Sequence, residues 1–141
     1  MIAADIICIA ETQLGPADKV VNSNIKGYKL YRLDQAVAGH TYHGLILYVN
    51  DNICVSSAIT YPGHNVEAIK LVLQNGIDKL IVIAIYNSPQ TRTVELYTTI
   101  QNILTGCKNV PVIIIGDFNI NTPRNNKTPL CNYMKTNYSC N

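Results

Sequence analysis

Two apolar runs in this chain stop at a carboxylate: "IICIAE" at Glu11 and "VIIIGD" at Asp117. An ionised carboxylate is expensive to bury without a partner, so each acid belongs at a strand end that faces water or a cation. Taken singly, either acid reads as a solvated residue at the start of a loop. Brought side by side the two would repel, and a divalent cation between them turns that repulsion into a binding site. Mg2+ suits such a site. It takes oxygen ligands, needs one or two protein carboxylates, and completes its shell with water and substrate phosphate.

Asn119 lies two residues beyond Asp117. Residues two apart in an extended segment point the same way, so Asn119 is expected beside Asp117, orienting it or a phosphate oxygen. The plainer alternative is an Asx-turn. Gly116 lets the backbone turn sharply or lets a ligand come close. A third apolar run, Leu80 to Tyr86, leads into "YNSPQ". The Tyr86 phenol either donates to a phosphate or sits wet at a strand end. Arg124 and Lys127, in "NTPRNNKT", follow the site. They read as a substrate-binding pair on a nucleic-acid backbone or, equally, as a solvated basic loop. His40 and His43 have zinc-like spacing, but no third ligand lies nearby to finish a tetrahedral site. His64, after Pro62-Gly63, reads as a solvated turn residue.

These groups need elements to carry them. "DIICIA" (Asp5 to Ala10) and Val110 to Ile115 read as strands buried on both faces. "YKLYRL" (Tyr28 to Leu33) alternates, as a strand with one wet face does. "GLILYVNDNICVSSAIT" predicts a hairpin turning at Asn50-Asp51-Asn52. In "NVEAIKLVLQNGIDKLIVIAIY", Glu67, Ala68, Lys70 and Leu71 are good helix formers. Against that, Ile69, Leu71 and Leu73 fall on one face at period two, and Asn75-Gly76 is a hairpin signal. The reading favoured is strand, turn, strand. "TRTVELYTTIQNIL" predicts a helix with Leu96, Ile100, Ile103 and Leu104 on one face and Gly106 as its stop. The Asn-, Thr- and Pro-rich tail reads as loop with one helical turn near Leu130 to Lys135. Many strands and one clear helix suggest stacked sheets with helix cover in one domain, not a regular βαβ repeat.

Composition narrows the class. A chain of 141 residues, 48% hydrophobic and 14% charged, can bury roughly 70% of its unfolded surface and is not globally disordered. A net charge of +2 does not by itself imply nucleic acid. Five cysteines without a CxxC spacing point to a reducing, intracellular setting, with the nucleus a candidate compartment. "MIAADIICIA" lacks a basic leader region, and no apolar run is long enough to span a bilayer. No membrane partner is expected.

"DIICIAETQL", "GLILYV", "VEAIKLVL", "LIVIAIYNSP" and "PVIIIGDFNIN" occur in the order seen in the endonuclease/exonuclease/phosphatase superfamily. The chain resembles in particular the endonuclease domains of retrotransposon-type mobile elements. "GDFN" after an apolar strand is the most specific piece. The resemblance implies an α+β fold of two stacked, mostly antiparallel β-sheets flanked by helices, the four-layer, DNase I-like sandwich. It implies phosphodiester hydrolysis with Mg2+ or Mn2+, most directly by a DNA endonuclease. Residue by residue, Glu11 matches the metal-binding glutamate. Asp117 matches the acid that orients or deprotonates the attacking water, and Asn119 its phosphate-contacting partner. Tyr86 matches a phosphate-contacting tyrosine.

Two family features are not matched. No asparagine-bearing strand precedes "DIICIAE", and no Asp-His pair follows Asp117. The expectation is therefore a partial domain, lacking its outer strands and exposing sheet edges. Two further readings stay open: an inactive or binding module on the same scaffold, and a phosphatase or phosphodiesterase acting on a phospholipid or nucleotide.

Overall fold

The computed structural model describes residues 4–15, 17–18, 24–34, 43–107, 109–120 and 132–134. Its elements run β1 (Ile6–Ala10), β2 (Tyr28–Leu33), β3 (Leu45–Asn50), β4 (Val55–Tyr61), β5 (Val66–Asn75), β6 (Asp78–Asn87), α1 (Thr93–Leu104) and β7 (Val112–Asp117). They form two sheets, one of order β1-β3-β2 and one of order β4-β5-β6-β7. Every pairing is antiparallel except β6 with β7, which α1 joins as a crossover.

The period-two pattern of β5 prevails over its helix formers because both faces of the strand are covered. Ile69, Leu71 and Leu73, with Val82, Ala84 and Tyr86 of β6, pack against Leu45, Leu47 and Val49 of the other sheet. Val66, Ala68, Ile81, Ile83 and Ile85 alternate to the opposite face and meet Leu96, Ile100, Ile103 and Leu104 of α1. A fully buried aliphatic side chain stabilises by about 1.5–3 kcal/mol, which outweighs propensity differences of a few tenths. The helix matches its predicted face, and Gly106 follows it at φ 82°. Gly76, at φ 61°, opens the two-residue turn between the paired Asn75 and Asp78. Glycine suits that first turn position.

The hairpin predicted around Asn50-Asp51-Asn52 does not form. The turn itself is there, with the Asn52 N–H donating to Asn50 Oδ1 at 3.0 Å and the Ile53 N–H to the Asn50 carbonyl at 2.9 Å. It carries the chain from one sheet to the other. β3 already has β1 and β2 on its two sides, so β4 pairs with β5 instead.

Nor are β1 and β7 buried on both faces. Each is an edge strand among the described residues, with Ile9 42% and Ile113 47% exposed. An unbroken apolar run signals burial but does not distinguish a central strand from an edge. Cys8, Cys54 and Cys107 are free thiols. No helix among the described residues is long and apolar enough to cross a membrane.

Candidate active site

The site grows out of strand register. On the inter-sheet face of the larger sheet, the apolar row of Ile69 and Ala84 with Ile115 is followed by a polar row. Glu67 of β5 pairs with Tyr86 of β6, and Tyr86 pairs with Asp117 of β7. Alternation puts all three on the face that packs against the other sheet. β1 of the smaller sheet ends at Ala10, opposite Leu45, and delivers Glu11 to the same end of the sandwich.

Tyr86 joins the two sheets there. Its hydroxyl donates to Glu11 Oε1 at 2.9 Å, although the residue is only 2% exposed. Burial first, and then the Glu11 carboxylate and the charge of Asp117, hold its phenol well above the ordinary range. It is a protonated donor at any physiological pH. Glu11 and Asp117 themselves are exposed, as groups that meet a ligand must be. The alternative of a wet strand-end phenol does not hold for Tyr86.

Asp117 and Asn119 are brought together by a different geometry from the one expected. β7 ends at Asp117, and Asn119 sits at φ 43°, in the left-handed region. The two side chains are therefore not related by extended alternation. Instead the Asn119 N–H donates to Asp117 Oδ1 at 2.9 Å, which is the Asx-turn alternative with Asp117 as acceptor. A two-way clamp fixes this loop on β6. Asn119 Nδ2 donates to the Asn87 carbonyl at 2.8 Å, and Asn87 Nδ2 donates to the Phe118 carbonyl at 2.7 Å. Gly116 is needed for the close approach of β7 to β6. At φ 134°, a Cβ there would fall 1.9 Å from the Ile85 carbonyl oxygen.

Two further residues border the site: His43, read from the sequence only for its zinc-like spacing with His40, and Glu67, read only as a helix former. His43 packs edge-on against the Tyr86 ring, with centroids 5.3 Å apart. Glu67 is 1% exposed, and its Oε2 accepts the Gly44 N–H at 3.0 Å. Desolvation raises its carboxyl above the ordinary value, a hydrogen bond from the Gly44 backbone opposes this, and Asp34 adds to the rise. A signal for Glu67 was present in the sequence: it shares parity with Ile69, Leu71 and Leu73, so a charge stands on the apolar face of a strand. His64 is exposed in a bend, as expected. His40, Arg124 and Lys127 lie outside the described residues.

No three His, Cys, Asp or Glu residues among those described cluster closely enough to form an all-protein metal cage. The donor set nevertheless fits a hard divalent cation. Mg2+ is ordinarily held by one or two carboxylates, with water and phosphate oxygens filling the rest, and Glu11 and Asp117 are exposed carboxylates that both act on Tyr86.

A model of the Endonuclease/Exonuclease/phosphatase family matches residues 2–135. No curated protein matches the sequence significantly. Among solved structures, the human Nocturnin catalytic domain with bound sulfate aligns at 18% identity and TM-score 0.56, over 82% of this chain and 52% of that one. D. rerio TDP2 complexed with a single-strand DNA product aligns at 14% identity and TM-score 0.59, over 84% and 49%. Truncated Caenorhabditis elegans TDP2 aligns at 15% identity and TM-score 0.57, over 82% and 49%. At these identities the likeness is one of fold, and this chain spans about half the length of the structures it matches.

Proposed function

This chain belongs to the Endonuclease/Exonuclease/phosphatase family, and from that premise we propose that it hydrolyses phosphodiesters at the open end of its sandwich, with DNA as substrate and Mg2+ or Mn2+ as cofactor. The observation that carries this reading is Tyr86, buried between sheets yet bonded to Glu11 and in register with Asp117. Glu11 is the residue that would hold the cation, whose bound charge supplies neutralisation of the phosphate and of the leaving oxygen.

The remaining work falls to the chain's own groups. Asp117, oriented by the Asn119 N–H, is the acceptor for the proton of an attacking water. Proton transfer by such a positioned group contributes roughly 10²–10⁴-fold. Tyr86 fixes the Glu11 carboxylate with its hydroxyl. One N–H of the Asn119 amide is held by Asn87, and the other is its donor for a phosphate oxygen. Arg124 and Lys127 are proposed to extend the contact along the substrate backbone. The DNA product held by D. rerio TDP2 supports a nucleic-acid substrate for this chain. The mobile-element setting rests on the resemblance of the sequence to retrotransposon-type endonuclease domains.

The test is nicking of supercoiled plasmid by the protein expressed from its complete reading frame, with Mg2+ or with a chelator. Nicking that the chelator abolishes is expected. Release of phosphate from a phosphoinositide or a mononucleotide, with plasmid left intact, would move the protein to the phosphatase branch. Inertness toward all three would make it a binding module.

A further inference from the structure

The proposed chemistry leaves one buried carboxylate unused. Glu67 is 1% exposed, and burying a charge is costly unless it is paired and hydrogen-bonded. Its bond to the Gly44 N–H reaches across from β5 to the residue that leads into β3 of the smaller sheet. Gly44 and His43 in turn hold the segment that follows β1. The Thr12 N–H donates to the Gly44 carbonyl at 3.3 Å, and the Gln13 N–H donates to the His43 carbonyl at 3.0 Å.

That segment needs holding. Glu11 and Gln13 stand at φ 54° and 56°, left-handed positions that non-glycine residues occupy only where surrounding structure enforces them. Gly44 has no slack: at φ 111°, a Cβ would lie 2.3 Å from Thr12 Oγ1. The contacts therefore close a ring. Glu67 holds Gly44, His43 and Gly44 hold Thr12 and Gln13, Glu11 next to Thr12 accepts from Tyr86, and Tyr86 is the strand partner of Glu67.

We propose that Glu67 is a positioning residue: through Gly44 it fixes the left-handed turn at Glu11–Gln13 and so aims the Glu11 carboxylate at the site. It touches neither substrate nor cation. Its consequence for catalysis rests on the hydrolase reading above, but its effect on the turn does not.

The experiment compares Glu67→Leu, which removes the acceptor, with Glu67→Gln, which keeps an acceptor oxygen at the same reach. Leu73→Ala, a cavity in the same core away from the ring, serves as the control for general destabilisation. Amide hydrogen exchange of Gly44, Thr12 and Gln13 is read by NMR, and the Mg2+ concentration for half-maximal plasmid nicking is read beside it.

Glu67→Leu is expected to speed exchange at these three amides about tenfold more than at the β5–β6 ladder, the scale of one lost hydrogen bond to a charged group. It should also raise the half-maximal Mg2+ concentration by about the same factor, with little change in KM for DNA. Glu67→Gln should recover most of both effects, and Leu73→Ala should speed exchange without preference for the turn. Uniform acceleration in Glu67→Leu, or an unchanged Mg2+ requirement in a protein that nicks, would overturn the proposal. Local acceleration in a protein whose wild type never cleaves would keep the tether and sink the hydrolase reading.

Discussion

The Tyr86 hydroxyl and Glu11 Oε1 meet at 2.9 Å across 75 residues of sequence and across the gap between two sheets. This contact makes Tyr86 more than a core residue, because its ring closes the apolar interior while its oxygen faces the carboxylates. With its pKa raised by burial and then by Glu11, the phenol stabilises the fold fully below the unfolded phenol value of about 10. That stabilisation is lost as pH rises above it. Urea unfolding at rising alkaline pH should therefore show the wild type losing stability faster than Tyr86→Phe. Parallel slopes would contradict the burial and the bond.

Glu67 titrates in the same sense at the acid end. Its folded pKa is raised by desolvation above the ordinary 4.5. Its contribution is thus fully present below that value and is lost as pH rises through the folded pKa. Glu67→Gln has no charge to desolvate. Its stability relative to wild type should rise from pH 4 to pH 7 in urea titrations, and a difference that stays flat would refute the assignment.

Gly116→Ala should be among the most damaging single-methyl changes in the chain. The positive φ alone is worth roughly 1–3 kcal/mol, and the added Cβ also overlaps the Ile85 carbonyl at 1.9 Å. Gly106→Ala, at φ 82° with nothing within 4 Å, carries the strain without the overlap. Chemical denaturation should rank Gly116→Ala clearly below Gly106→Ala, and equal losses would contradict the close approach of β7 to β6.

Asn87 is 4% exposed and donates to the Phe118 carbonyl. Asn87→Ala leaves that carbonyl unpaired, a loss of about 1–3 kcal/mol if it stays buried, and it removes one of the two bonds that clamp the loop carrying Asn119. The Asn119 amide should then exchange faster with solvent while the α1 amides keep their protection. Equal acceleration at both would show a global effect and no clamp.

The parts of this architecture legible in the sequence were the local ones. An apolar run ending on an acid located Glu11 and Asp117, and helical spacing located α1. Period two, against the helix formers around Glu67, located β5. What the sequence concealed depends on which strand lies beside which. The same Asn50-Asp51-Asn52 turn serves a hairpin or a passage between sheets, and only the occupied sides of β3 decide between them. His43 and Glu67 reach the site because β3 and β5 do, and Asn119 meets Asp117 through a left-handed backbone, not through strand alternation.

The central claim is that Asp117 and Glu11 form a metal-dependent phosphodiester-cleaving site. The most direct measurement is the Mg2+-dependent plasmid nicking rate of the protein from its complete reading frame against its Asp117→Ala variant, with melting temperature checked in parallel. The expected result is a loss of at least about 100-fold in rate with the fold retained. Nicking by Asp117→Ala at the wild-type rate would contradict it.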